Sequence, residues 1–237
     1  TPEGSGAWPK ALLRAQARAQ VPDPELLDVR IAAWGDHPPT MAAWHAYIAR
    51  HDIDLVAMTA PTSGAPSPLL SAPGAEAMIA GTEAAVLVLP QRTVRPQFTR
   101  VLAATDLSEE AVPTLHDAEA LARFSTARLD VLHVLTRRQY VALTPTDMLA
   151  LNDASATPRV AARRLRTWYH RHSHPDYTEA DGTALHVEQG DPVSTIARVA
   201  QAQQADVIVL AATHHPGQSG ALSTLTENVL RRTTRAV

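Results

Sequence analysis

Val101-Leu102-Ala103-Ala104-Thr105-Asp106-Leu107-Ser108-Glu109-Glu110 is the stretch on which the reading of the fold turns. Five residues without a charge, ending at an acidic residue, form a short apolar run of the kind buried in a parallel sheet. Ser108 stands where a helix N-cap belongs, and Glu109 and Glu110 fall in the first turn, where the helix dipole favours carboxylates. Ala111, Leu115, Ala118 and Ala122 then recur at helical spacing, which predicts an amphipathic helix over 109–124. Pro113 lies near enough to its start to be tolerated.

The plan repeats downstream. Leu129 to Val134 is a second strand, and Pro158 to about His172 a helix with Ala161, Leu165 and Trp168 on one face. Ala184 to Glu188 alternates as a strand. Gly190-Asp191-Pro192 supplies a turn, an N-cap and a proline at the first helical position. Val193, Ile196 and Ala200 carry that helix. Asp206 to Leu210 is a fourth strand, and Thr224 with Glu227 has the spacing of a capping box for a last helix through about Arg232. Strands alternating with helices imply βαβ units, a parallel sheet and right-handed crossovers. Such sheets bind ligands at the carboxyl ends of strands where strand order reverses. The strand ends Thr105-Asp106 and Ala211-Ala212 face each other if the first and fourth strands are neighbours.

The N-terminal half repeats the later part of this order. Leu27 to Trp34 reads as a strand, Gly35-Asp36 matches Gly190-Asp191, and a helix follows with Trp44, Tyr47 and Ile48. Asp54 to Met58 matches Asp206 to Leu210. A Pro, Ser and Ala-rich loop leads to a short helix near 74–80 and a strand, Ala85 to Leu89. Residues 91–99 read as a linker, giving units 1–95 and 96–237. The first unit lacks its opening strand, helix and strand. The second stops at Ala236-Val237, where its counterpart runs on through Val86-Leu87-Val88. The expectation is a fragment, with strand exchange between chains as the alternative. The fold class expected is α/β: two tandem doubly wound, Rossmann-like units with parallel five-stranded sheets, the first without its N-terminal half.

Composition narrows the function. The formal net charge is −3, from 21 Lys and Arg against 24 Asp and Glu, so nothing favours a nucleic-acid or anionic-membrane partner. No apolar run approaches the length of about 20 residues that spans a bilayer. The absence of cysteine excludes disulfides, thiol catalysis and cysteine-ligated metal, and fits a cytoplasmic location. Eighteen prolines against ten glycines make glycine-rich phosphate loops scarce.

Several of these motifs, in this order, resemble the universal stress protein family. Ala104-Thr105-Asp106-Leu107-Ser108 looks like its first strand end, and Leu132-His133-Val134 like its second strand. Gly190-Asp191-Pro192, Ala205 to Val209 and Thr224 to Leu230 resemble the third helix, fourth strand and final helix. The resemblance covers nearly all of 100–237 and is weaker over 25–90. It implies a stress-response binding or signalling module, a homodimer or intramolecular pseudo-dimer, and an adenine-nucleotide site in the second unit. ATP-binding members carry Gly-x-x-Gly-x9-Gly-Ser/Thr after the fourth strand. Here those glycine positions fall on or near Ala212, His215 and Ser223, while Thr224 keeps the hydroxyl and Gly217 and Gly220 offer a differently shaped loop. The resemblance thus implies Thr105, Asp106, Val134, Ala212, His215, Gly217, Ser223 and Thr224 as the ATP-contacting set, with Asp106 and Val134 beside the adenosine. An acidic residue that merely turns the chain is the alternative reading of Asp106.

No catalytic constellation is legible: there is no Gly-x-Ser-x-Gly, no His-Glu-x-x-His and no Walker loop. His170, His172 and His174 alternate near a helix end, where they share a face only if the stretch is extended; a solvated helix end is expected rather than a metal site. Glu109, Glu110, Asp117 and Glu119 are expected on a solvated helix face, and Trp8, Trp34, Trp44 and Trp168 in cores. The reading is a non-enzymatic binding module. The alternatives are a slow ATPase or nucleotide hydrolase on the same cradle, and a cytoplasmic regulatory part of a larger protein such as a transporter.

Overall fold

The computed structural model describes residues 40–59, 75–89, 98–136, 156–175, 182–212, 224–233 and 235–237. Expectations for Leu27 to Trp34, Gly35-Asp36, Trp8 and the linker core lie outside these residues.

The opening stretch forms strand β3, Arg100–Thr105. Its alternation sorts side chains to two faces: Val101 and Ala103 go to one core, Leu102 to the other. β4 is Arg128–Leu135, β5 Ala184–Gln189 and β6 Val207–Val209. They form one parallel sheet in the order β5-β4-β3-β6. Strand order reverses between β3 and β6, so the first and fourth strands are neighbours. Helices α3 (Val112–Ser125) and α4 (Ala156–His172) cover one face through Leu115, Ala118, Leu165 and Tyr169. Helices α5 (Pro192–Ala202) and α6 (Thr224–Arg232) cover the other through Ile196, Val199 and Val229. Val101, Leu102, Val131 and Leu132 are fully buried, and burial of each such side chain stabilises by roughly 1.5–3 kcal/mol over exposure. Tyr169 is as deep, and its hydroxyl donates to Thr183 Oγ1 at 3.3 Å.

Upstream, α1 (Met41–Arg50), β1 (Leu55–Thr59), α2 (Ala75–Gly81) and β2 (Ala85–Leu89) form a smaller layer, with β1 and β2 parallel. The last residues of the chain connect the two sheets. Ala236 bridges to Val207 in parallel, and its carbonyl accepts from Ile208 N at 2.9 Å. Val237 and Val88 exchange both backbone bonds, at 2.7 and 3.1 Å, the pattern of an antiparallel pair.

Local details correct the sequence reading. Ser108 makes no side-chain cap; residues 109–111 form a 3-10 turn before α3 begins at Val112. Asp206 precedes its strand instead of opening it. Its carboxylate accepts from Thr99 N, Thr99 Oγ1 and Arg100 N at 2.7, 2.7 and 3.1 Å, so it clamps the start of β3. Asp191 caps α5 as expected, accepting from Ser194 N at 3.0 Å. Gly190 before it has φ 154°, and a Cβ there would sit 2.7 Å from Thr195 Oγ1, so the turn needs glycine. Glu119, expected on a solvated face, is buried and accepts from His174 N at 3.0 Å.

Candidate binding site at the strand tips

The tip of β3 is held by its own side chains. Thr105 Oγ1 accepts from Leu107 N, and Asp106 Oδ1 accepts from Ser108 N, each at 3.0 Å. Between them Leu107 has φ 68°, in the left-handed region that non-glycine residues adopt at a cost. Such local bonds compete with regular structure, which is why Asp and Thr stop the strand here. The strain was not legible in the sequence, because a leucine gives no signal for a positive φ.

His133 on β4 lies opposite Thr105 and is buried. Its Nδ1 donates to Thr105 O at 3.0 Å. Burial holds its pKa below the usual histidine value; the Arg164 guanidinium adds to that, while the bond to Thr105 and the charge of Asp106 oppose it. The ring is therefore neutral at neutral pH. Asp106, Leu107, His133 and Leu135 form one wall of a cavity of about 430 Å3, and α4 forms the other.

The structure brings Thr105 and Asp106 together with His133 and Leu135 instead of with Val134. The Val134 side chain is packed into the opposite core with Leu102, Leu132 and Ile196, as strand alternation requires. Ala212, past β6, lines a second cavity of about 750 Å3, which lies between β6 and β2 alongside Leu210, Leu87 and Phe124. The tips that carry Asp106 and Ala212 thus belong to neighbouring strands but line different cavities. Thr226 Oγ1 donates to Ala211 O at 3.0 Å and ties α6 to the β6 tip. Thr224 opens α6. His215, Gly217 and Ser223 lie outside the described residues, as does the Thr224 side chain.

The histidines near the end of α4 separate. His172 is the last helical residue, half-buried, with Nε2 3.5 Å from Glu109 Oε1 and its ring against Trp168; His170 is exposed and His174 lies beyond the helix. Among the described residues, no three His, Asp or Glu side chains are grouped to hold a metal ion. No described helix is long and apolar enough to cross a membrane.

The profile of the universal stress protein family matches residues 97–237, more than half of the chain. Among solved structures, a functionally unknown protein from Pseudomonas aeruginosa PAO1 matches with TM-score 0.67 and 22% identity, over 100% of this chain and 77% of that one. A putative universal stress protein from Pseudomonas aeruginosa UCBPP-PA14 gives 0.66 and 22%, with the same coverage. A universal stress protein from Archaeoglobus fulgidus DSM 4304 gives 0.56 and 20%, over 81% of this chain and 65% of that one. At these identities the structures share the fold. A search of curated proteins found no match.

Proposed function

Since the chain belongs to the universal stress protein family, we propose that it is a stress-type binding module of the cytoplasm that takes an adenine nucleotide at the tip of β3. The observation that carries this reading is the position of Asp106: at the reversal of strand order, on a strained and pinned tip, facing a cavity of ligand size. The polar groups at the tip hold it in place: one Asp106 oxygen accepts from Ser108 N, and His133 Nδ1 donates to the Thr105 carbonyl. A pre-organised tip suits a binding role. The Val88–Val237 exchange supports an intramolecular pseudo-dimer, in which the two-stranded layer abuts the four-stranded sheet.

Native mass spectrometry after mild purification, followed by titration with ATP, tests the reading. A ligand of the folded state stabilises it by about 2.7 kcal/mol at a hundred times its Kd, so millimolar ATP should raise Tm. Asp106→Ala should remove that rise. A chain that carries no nucleotide and melts at the same temperature with and without ATP overturns the proposal.

A further inference from the structure

The wall of the smaller cavity opposite Asp106 is basic. Val160, Arg164, Thr167 and Arg171 recur at spacings of four, three and four, one stripe of α4, and Arg163 stands beside them. All three arginines line the cavity, and among the described residues that line it Asp106 is the one carboxylate. Two arginines elsewhere are matched. Arg198 pairs with Glu188 at 2.7 Å, and Arg231 pairs with Glu227 at 2.8 Å. Neither Arg163 nor Arg171 has a carboxylate at ion-pair distance among the described residues. The charge of Arg164 is felt at the cavity floor, where it helps keep the His133 ring neutral. Trp168 lines the same cavity and keeps a buried indole N–H with no acceptor among the described residues.

We infer that this cavity is an oxyanion site: it binds a phosphate-bearing small molecule, whose charge is taken by Arg163, Arg164 and Arg171 of α4. The guanidinium fork matches phosphate oxygens in pairs, and Arg163 and Arg171 bring charge that no described carboxylate meets. A volume of about 430 Å3 admits a small organic phosphate. The site goes beyond the nucleotide reading, because it needs no base. It also places the anion on the α4 side of the β3 tip, apart from Ala212, which lines the other cavity.

The test titrates the full chain at low salt and neutral pH with inorganic phosphate, AMP and adenosine, followed by calorimetry and phosphorus NMR. Phosphate and AMP should both bind. Arg163→Gln combined with Arg171→Gln should weaken both by roughly tenfold or more. Both side chains are exposed, so the melting temperature of the unliganded variant should stay close to that of the parent. Asp106→Asn should tighten phosphate several-fold by removing the opposing charge. The nucleotide reading expects the reverse sign for adenosine, whose contact with Asp106 would be lost. Equal affinity for phosphate and AMP assigns the site to the anion alone, and tighter AMP adds the base; both support the inference. Adenosine binding without phosphate binding overturns it while leaving the nucleotide reading standing. Phosphate affinity that is unchanged in the double arginine variant overturns it as well.

Discussion

Asp54 to Met58 and Asp206 to Leu210 look alike in sequence, yet the structure treats them differently. β6 lies beside β3, between helices on both faces, and Val207 and Ile208 are buried. β1 has β2 on one side; Leu55 is 50% exposed and Ala57 is exposed. The four-stranded half buries a continuous double core. The described part of the two-stranded half buries four apolar residues: Ile48, Met78, Ile79 and Val88. An apolar run therefore announces a strand, but neighbours decide how much of it leaves water. Stability should be concentrated in the four-stranded half, and five measurements probe that contrast.

The largest effect is expected in the deepest strand. Leu102→Ala should cost about 2–5 kcal/mol in urea unfolding, from lost burial plus a cavity. A cost below about 1 kcal/mol would mean that the core around β3 can collapse to fill the space. Next is the pair across β4 and β5, in which the Asp130 side is buried. His186 Nε2 donates to Asp130 Oδ1 at 2.8 Å, and Asp130 is 1% exposed. His186→Ala strands that carboxyl in the interior and should cost about 3 kcal/mol. An equally stable variant would show that Asp130 finds another donor.

His133 ties the same core to pH. Its folded pKa lies below the unfolded value of 6.5, so the unfolded chain binds the proton more readily. Stability is complete above that value and falls as pH drops through it toward the folded pKa. His133→Asn keeps a donor for Thr105 and should flatten Tm against pH in that window; an unchanged slope would locate the titration elsewhere. Asp191→Ala should lower Tm modestly by removing the cap of α5, with Asp191→Asn close to the parent. Equal melting of all three would show the cap to be idle. Leu55→Ala in the two-stranded half should stay within about 0.5 kcal/mol. A cost as large as that of Leu102→Ala would erase the contrast between the halves.

Much of this contrast was legible. The alternation of apolar runs with helical spacing gave the strands of the larger sheet to within a residue or two, and Gly190-Asp191-Pro192 gave the turn, cap and helix start. What was hidden depends on partners distant in sequence. Asp130 sits in a run that reads as uniformly buried, and only His186, 56 residues on, makes that tolerable. Glu119 follows a helical pattern that puts it near the solvated side, until His174 supplies a backbone donor. Asp106 was legible as a strand end, whereas the basic wall facing it was not. Arg163, Arg164 and Arg171 read as an ordinary polar helix face, and their meaning comes from what stands across the cavity. Val134 lies apart from the cavity for the simplest reason: it is adjacent to His133 and therefore points to the other side of the sheet.

The paired amides of Val88 and Val237 have one more consequence. They join the two sheets through a single rung of backbone bonds, so opening at Val237 frees the edge of β2. Hydrogen exchange at Val88 then reports the coupling between the halves. An amide that exchanges as slowly as those of β3 indicates one cooperative unit, whereas a fast one indicates a smaller layer that frays first.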